Sequence, residues 1–176
     1  HISTLAHYLV SLQTIKKLHI MTKKVIIIMG SKADLEWANK ISAVLNNFDI
    51  DVVTRIASAH KVPLKCYNLI KEYEKEQVVF ITIAGMSNAL SGFTDAQTYC
   101  PVIACPPYSD KYAGTDLFSS IRMPSGVAPM TVVSPENAAL AAAKIIGLAY
   151  PEVREKISQF QEQKRIELEE ADAQIQ

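Results

Sequence analysis

Apolar and polar positions along this chain fall into a repeating order of short apolar runs and helical stripes. Val25 to Met29 reads VIIIM, a β-branched run with no polar alternation, which predicts a parallel strand buried on both faces. The turn GSKAD follows at once. Leu35, Ala38, Ile41, Val44 and Leu45 then recur at helical intervals, with Asp34 and Glu36 near the helix start, where negative charge suits the macrodipole. The unit repeats: DVVTRIA reads as a strand, SAHK as a turn, and Pro63 as a first-turn residue of a helix to about Lys75. VVFITIAG gives a third strand, and the small-residue loop GMSNALSG leads into a short helix. PVIAC gives a fourth strand, ended by Pro106 and Pro107, which cannot donate to a ladder. A fifth strand is expected in MTVVS. Ser134 or Pro135 then opens PENAALAAAKIIGLAY, a helical stretch whose alanines permit close packing. The last helix begins near Pro151. Its narrow stripe of Val153, Ile157 and Phe160 calls for docking, on the parent domain or on a neighbouring subunit.

Strands alternating with helices imply right-handed crossovers and a covered parallel sheet. The fold class expected is α/β, a three-layer α/β/α sandwich with a parallel, flavodoxin-like sheet. Ligands in such sheets bind outside the carboxyl ends of the strands, at a switch point. The turns after the first three strands, GSKAD, SAHK and GMSNALSG, are therefore expected to share one pocket.

Composition narrows the class. A chain of 176 residues holds one comfortable domain, with 49% apolar and 20% charged residues, a globular balance. No apolar run approaches the roughly 20 residues that span a bilayer, so the chain is expected to be soluble, with no membrane partner. Basic and acidic residues balance at 18 each, and no basic cluster is paired with aromatics, which argues against nucleic acid. Cys66, Cys100 and Cys105 are odd in number and lack a CxxC spacing, so neither a metal site nor a disulfide framework is expected; buried thiols in a reducing cytoplasm fit better. Residues 1–20 contain no acid and place Leu5, Leu9, Leu12 and Ile15 near helical spacing, without an arginine or a cleavage site. They read as an upstream extension or an amphipathic presequence, outside the catalytic domain expected over 21–150 and the packing helix over 151–176.

Each turn carries residues that suit chemistry and also have an ordinary structural reading. In MGSKAD, Gly30 permits a sharp turn, while Ser31, Asp34 and free amides can cradle a phosphate and hold ribose hydroxyls; a glycine and serine after a strand also make a plain turn and N-cap. His60 is the one histidine after residue 20. A solitary histidine is commonly a loop or capping residue, yet this one stands between Ser58 and Lys61 at a strand's carboxyl end. An imidazole there can both give and take a proton, and no serine or cysteine nucleophile motif accompanies it. Lys61 reads as a solvated charge or as a counter-charge for phosphate. In IAGMSNALSG, Gly85 and Gly92 bracket Ser87, Asn88 and Ser91, a set that suits a small oxygen-rich group or an ordinary capped strand-to-helix loop.

Four stretches, VIIIMGSKAD, RIASAHK, TIAGMSNALSG and DLFSSIRMPSG, stand in an order that resembles the phosphoribosylaminoimidazole carboxylase family of purine synthesis, across nearly everything from Lys23 to Tyr150. One class of that family rearranges N5-carboxyaminoimidazole ribonucleotide; the other carboxylates aminoimidazole ribonucleotide directly with carbon dioxide. Bacterial mutases typically show an arginine after the histidine and HLPG in the third loop. Lys61 and SNALSG here resemble the direct, class II carboxylase, also found in animals.

The resemblance implies carboxylation of 5-aminoimidazole ribonucleotide with CO2 to 4-carboxy-5-aminoimidazole ribonucleotide on the way to IMP. It implies no cofactor, no biotin, ATP or metal, and a cytoplasmic homo-oligomer, commonly an octamer. It makes His60 the proton-transfer residue, Ser31 and Asp34 substrate contacts, and Ser58 and Lys61 part of the phosphate site. Gly85 and Ser87 would line the site beside the imidazole, with Asn88 a neighbouring substrate contact and SSIRMPSG at its border, from the same or another subunit. Ala33 departs from the family's GSxSD pattern, and losing a hydroxyl donor to a phosphate costs about 1.5–3 kcal/mol where nothing replaces it. The rival readings are the mutase and a non-catalytic nucleotide sensor.

Overall fold

The computed structural model describes residues 21–175, so the reading of 1–20 as a leader lies outside the described residues. Five strands form one sheet: β1 (Lys24–Met29), β2 (Asp51–Ile56), β3 (Val79–Ile83), β4 (Val102–Ala104) and β5 (Met130–Thr131). All pairings are parallel, in the order β2-β1-β3-β4-β5. This is the flavodoxin-like order, which reverses direction between β1 and β3. The helices are α1 (Leu35–Asn47), α2 (Pro63–Tyr73), α3 (Ala89–Ala96), the single turn α4 (Phe118–Ile121), α5 (Pro135–Gly147) and α6 (Pro151–Ala173). Among the described residues no helix is long and apolar enough to cross a membrane.

The unbroken apolar runs have a direct structural cause. Successive residues of a strand face opposite sides of a sheet. Val25, Ile27 and Met29 of β1 enter the core shared with α1, α5 and α6, whereas Ile26 and Ile28 enter the core beneath α2 and α3. β3 divides in the same way, with Val79, Ile81 and Ile83 on one side and Phe80 on the other. β2 lies at the sheet's edge, and its residues are half-buried or exposed. In α1, Ala38, Ile41 and Leu45 are buried as their spacing predicts, whereas Leu35, the helix's first residue, stays 40% exposed.

Small residues let the outer layers approach. Ala138, Ala139, Ala142 and Ala143 of α5 are fully buried, and Gly147 sits where an added Cβ would come within 3.5 Å of the Arg154 backbone. α6 folds back on α5 through Val153 and Ile157, and Phe160 meets Phe48 edge-on at 5.7 Å. The near half of α6 thus docks on the parent domain, while its far half is exposed.

All three cysteines are free and buried. Burial pushes the Cys66 and Cys105 thiols up to about 11, above the ordinary value of 9.0. A raised thiol pKa favours the folded state while the thiol is protonated. That contribution is whole below about pH 9 and is lost as pH rises through about 11, with a slope of at most about 1.4 kcal/mol per pH unit for each thiol. Urea unfolding followed from about pH 8.5 to 10.5 is therefore expected to show stability falling more steeply in the parent than in Cys66→Ala or Cys105→Ala. Parallel slopes in all three proteins would contradict it.

Candidate active site

The ladder carries the strand ends into one plane. Met29 is level with Ile56 on one side and Ile83 on the other. The hydrogen bonding then continues past the strands: Gly30 N–H donates to Ile83 O at 2.8 Å, Ala57 N–H to Met29 O at 2.9 Å, and Cys105 N–H to Thr82 O at 2.8 Å. Four turns consequently leave the sheet side by side. Between them lies a cleft of about 500 Å³, a size that suits a small ligand.

The first turn contributes Gly30, Ser31, Ala33 and Asp34 to that cleft. Ser31 caps a 3-10 turn over Lys32–Asp34, its Oγ accepting from Ala33 N–H at 3.1 Å. Asp34 Oδ2 accepts from Ser31 N–H at 2.9 Å and from Ser31 Oγ at 3.2 Å, closing a capping box. The amides of Ser31 and Ala33 are thereby spent inside the turn. The turn presents the Ser31 hydroxyl and the Asp34 carboxylate to the cleft, with these two amides already bonded.

Ser58, His60 and Lys61 line the facing wall. Ser58 organises this second turn: its carbonyl accepts from Val62 N–H at 2.9 Å and its hydroxyl from Lys61 N–H at 3.3 Å. His60 and Lys61 are both exposed, so a hydroxyl, an imidazole and an ammonium group open on the same space.

The third loop divides. Ala84, Gly85, Met86 and Ser87 line the cleft, but Asn88 does not. Asn88 is 3% exposed and caps α3, its Oδ1 accepting from Ser91 N–H at 3.1 Å while its Nδ2 donates to Ser120 Oγ at 3.0 Å. Ser91 is fully buried. Gly92 serves packing instead of ligand access, because a Cβ there would fall 2.9 Å from Met123 Sδ. Met86 adopts φ +60°, a left-handed conformation that costs a non-glycine residue about 1 kcal/mol or more.

Pro107, Tyr108 and Ser109, beyond β4, complete the lining and were missed from sequence. The rule that gathered the first three turns, that parallel strands end on one side, applies equally to the fourth and would have found them. A hydrogen bond to Asp110 raises the Tyr108 phenol above its ordinary value. Trp37, three residues after Asp34, donates its Nε1–H to Cys105 Sγ at 3.3 Å and so ties α1 to the end of β4. Among the described residues no group of three or more His, Cys, Asp or Glu side chains is placed to hold a metal ion.

Comparison with known proteins gives this cleft its context. A family described as AIR carboxylase matches residues 24–167. The chain is 64% identical to a phosphoribosylaminoimidazole carboxylase of Archaeoglobus fulgidus over 86% of this chain and 84% of that one. It is 41% identical to the human bifunctional phosphoribosylaminoimidazole carboxylase/phosphoribosylaminoimidazole succinocarboxamide synthetase, over 72% of this chain and 30% of that longer one. The crystal structure of Treponema denticola PurE superposes with a TM-score of 0.85 at 44% identity, covering 87% of this chain and 98% of that one. On a match through both core faces and all four strand-end turns, the chain belongs to the AIR carboxylase family.

Proposed function

We propose that this protein carboxylates 5-aminoimidazole ribonucleotide with carbon dioxide, yielding 4-carboxy-5-aminoimidazole ribonucleotide for purine biosynthesis in the cytoplasm. The observation that carries the reading is the meeting of His60, Lys61, Ser58, Ser31 and Asp34 in one cleft, in a chain of the AIR carboxylase family. Support for direct carboxylation over the mutase reaction comes from Lys61 after the histidine and SNALSG in the third loop, together with the names of the relatives.

Each wall has a task. Lys61 and Ser58 meet the phosphate, and Ser31 with Asp34 holds the ribose end, which turns a bimolecular encounter into an oriented one. C4 of an aminoimidazole is electron-rich, as in an enamine, and its electron pair forms the new bond to the carbon of CO2. One C–O π bond becomes the carboxylate, and the ring transiently carries both the carboxylate and the original hydrogen at C4. His60 removes that proton, and the C–H electrons restore the aromatic ring. The reverse reaction uses the imidazolium as the acid. Gly85 and Ser87 border the reacting end.

Purified protein given aminoimidazole ribonucleotide with bicarbonate is expected to form the carboxylated imidazole efficiently. Turnover of the N5-carboxylated isomer alone would assign the mutase reaction, and tight nucleotide binding with neither turnover would assign a sensor. His60→Asn is expected to lower kcat by about 10²- to 10⁴-fold with nucleotide affinity little changed. A variant with full turnover would remove His60 from the mechanism. Ala33 lines the cleft with a methyl group where the family pattern has a hydroxyl. Ala33→Ser is therefore expected to tighten nucleotide binding by about 5- to 10-fold, the effect of roughly 1 kcal/mol, in a calorimetric titration. Equal or weaker affinity would show that the position contributes no phosphate contact.

A further inference from the structure

The single helical turn α4 makes no contribution to the lining of the cleft, yet two of its residues grip the loop that does. Ser119 Oγ accepts from Asn88 N–H at 2.9 Å, and it lies 2.7 Å from Asp116 O and 3.1 Å from Met86 O, the two carbonyls to which its proton can go. Ser120 Oγ accepts from Asn88 Nδ2 at 3.0 Å, and Ser120 O in turn accepts from Thr131 Oγ1 at 2.9 Å, which anchors α4 to β5. Ser120 is 1% exposed and Asn88 3%. Between these bonds stands Met86 in its left-handed conformation, with Ser87 beside it in the cleft.

A short, strained turn keeps its shape only where its surroundings over-determine it. Gly85, lacking a Cβ, adds no side-chain constraint at one end of this turn, and the hydrogen bonds of Asn88 fix the other. We infer that Ser119 and Ser120 are positioning residues acting through Asn88, holding the Met86–Ser87 turn at the reacting end of the bound ribonucleotide. The inference rests on the carboxylase reading for what that end does. It gives Asn88 a role different from the substrate contact expected of it: a strut with its backbone donor, side-chain donor and side-chain acceptor all committed to protein. It also accounts for SSIRMPSG at the border of the site, where Ser119 and Ser120 reach the third loop of their own chain.

The phosphate and ribose are met by the first two turns, which this latch does not touch. Its loss should therefore move catalysis more than binding. Ser119→Ala is expected to lower kcat by about 10- to 100-fold, the scale of a small misplacement at a reacting centre, while KM for the nucleotide stays within about 3-fold. Ser119→Thr, which keeps the hydroxyl, is expected to restore most of the rate, and Ser120→Ala to reproduce the split from the other end of the latch. Amide hydrogen exchange across residues 85–89 is expected to rise about tenfold in Ser119→Ala and to return in Ser119→Thr. Wild-type kcat in both alanine variants would overturn the inference, as would a KM rise that accounts for the whole loss or exchange that does not change. Should the parent itself fail to carboxylate, the carboxylase reading falls, and the exchange measurement still decides whether the latch holds the turn.

Discussion

The site depends on one constraint, the parallel register that keeps Met29, Ile56 and Ile83 level and continues into Gly30 N–H donating to Ile83 O. A slip of one residue on β1 would exchange its two core faces and retract the first turn from the second and third. Burial on both faces guards against this slip. Every residue from Val25 to Met29 is at most 2% exposed, so any change of register would force each side chain into the wrong core. The same apolar packing that stabilises the fold therefore fixes the separation between Asp34, His60 and Ser87.

Given that frame, the turns do different work according to how they are satisfied. The first starts from the Gly30 bond to Ile83 and then closes on itself through the Ser31–Asp34 capping box. The second is ordered by Ser58 and leaves His60 and Lys61 exposed to solvent, where an imidazole and an ammonium group can reorient around a ligand. The third contains a strained methionine and is held from outside by α4. Under the proposed function, local satisfaction is adequate for groups that grip a phosphate. The reacting end gains from long-range anchoring because small displacements there act directly on the barrier.

How much of this was legible in the sequence follows from the range of each interaction. The strands, the α/β class and the gathering of the first turns were readable because period and strand-end rules act over a few residues, and VIIIM or PENAALAAA carries its own signal. Placing His60, Lys61, Ser58, Ser31, Asp34, Gly85 and Ser87 around one cleft needed only those rules and the family resemblance. Asn88 and Gly92 were harder. Their partners, Ser120 and Met123, lie roughly thirty residues downstream in a segment with almost no regular structure, and no periodicity links them. The commitment of the Ser31 and Ala33 amides to a capping box was also hidden, since a serine and an aspartate three residues apart serve a cap and a ligand equally well.

Direct carboxylation asks little of a protein beyond placement. The nucleophile is in the substrate, the electrophile is a small neutral gas, and one proton must leave. A site built from strand-end turns meets that need without a second domain, because the sheet supplies rigidity and each turn supplies one kind of group. It follows that differences in reaction within such a family should reside in the turns. Residue 61 beside the histidine and residues 87–92 of the third loop are where this chain departs from the mutase pattern, and both lie outside the strands. The third loop is also the one whose shape depends on α4. A change of chemistry there would have to be matched by a change in the latch, and the physical coupling between those two segments runs through Asn88.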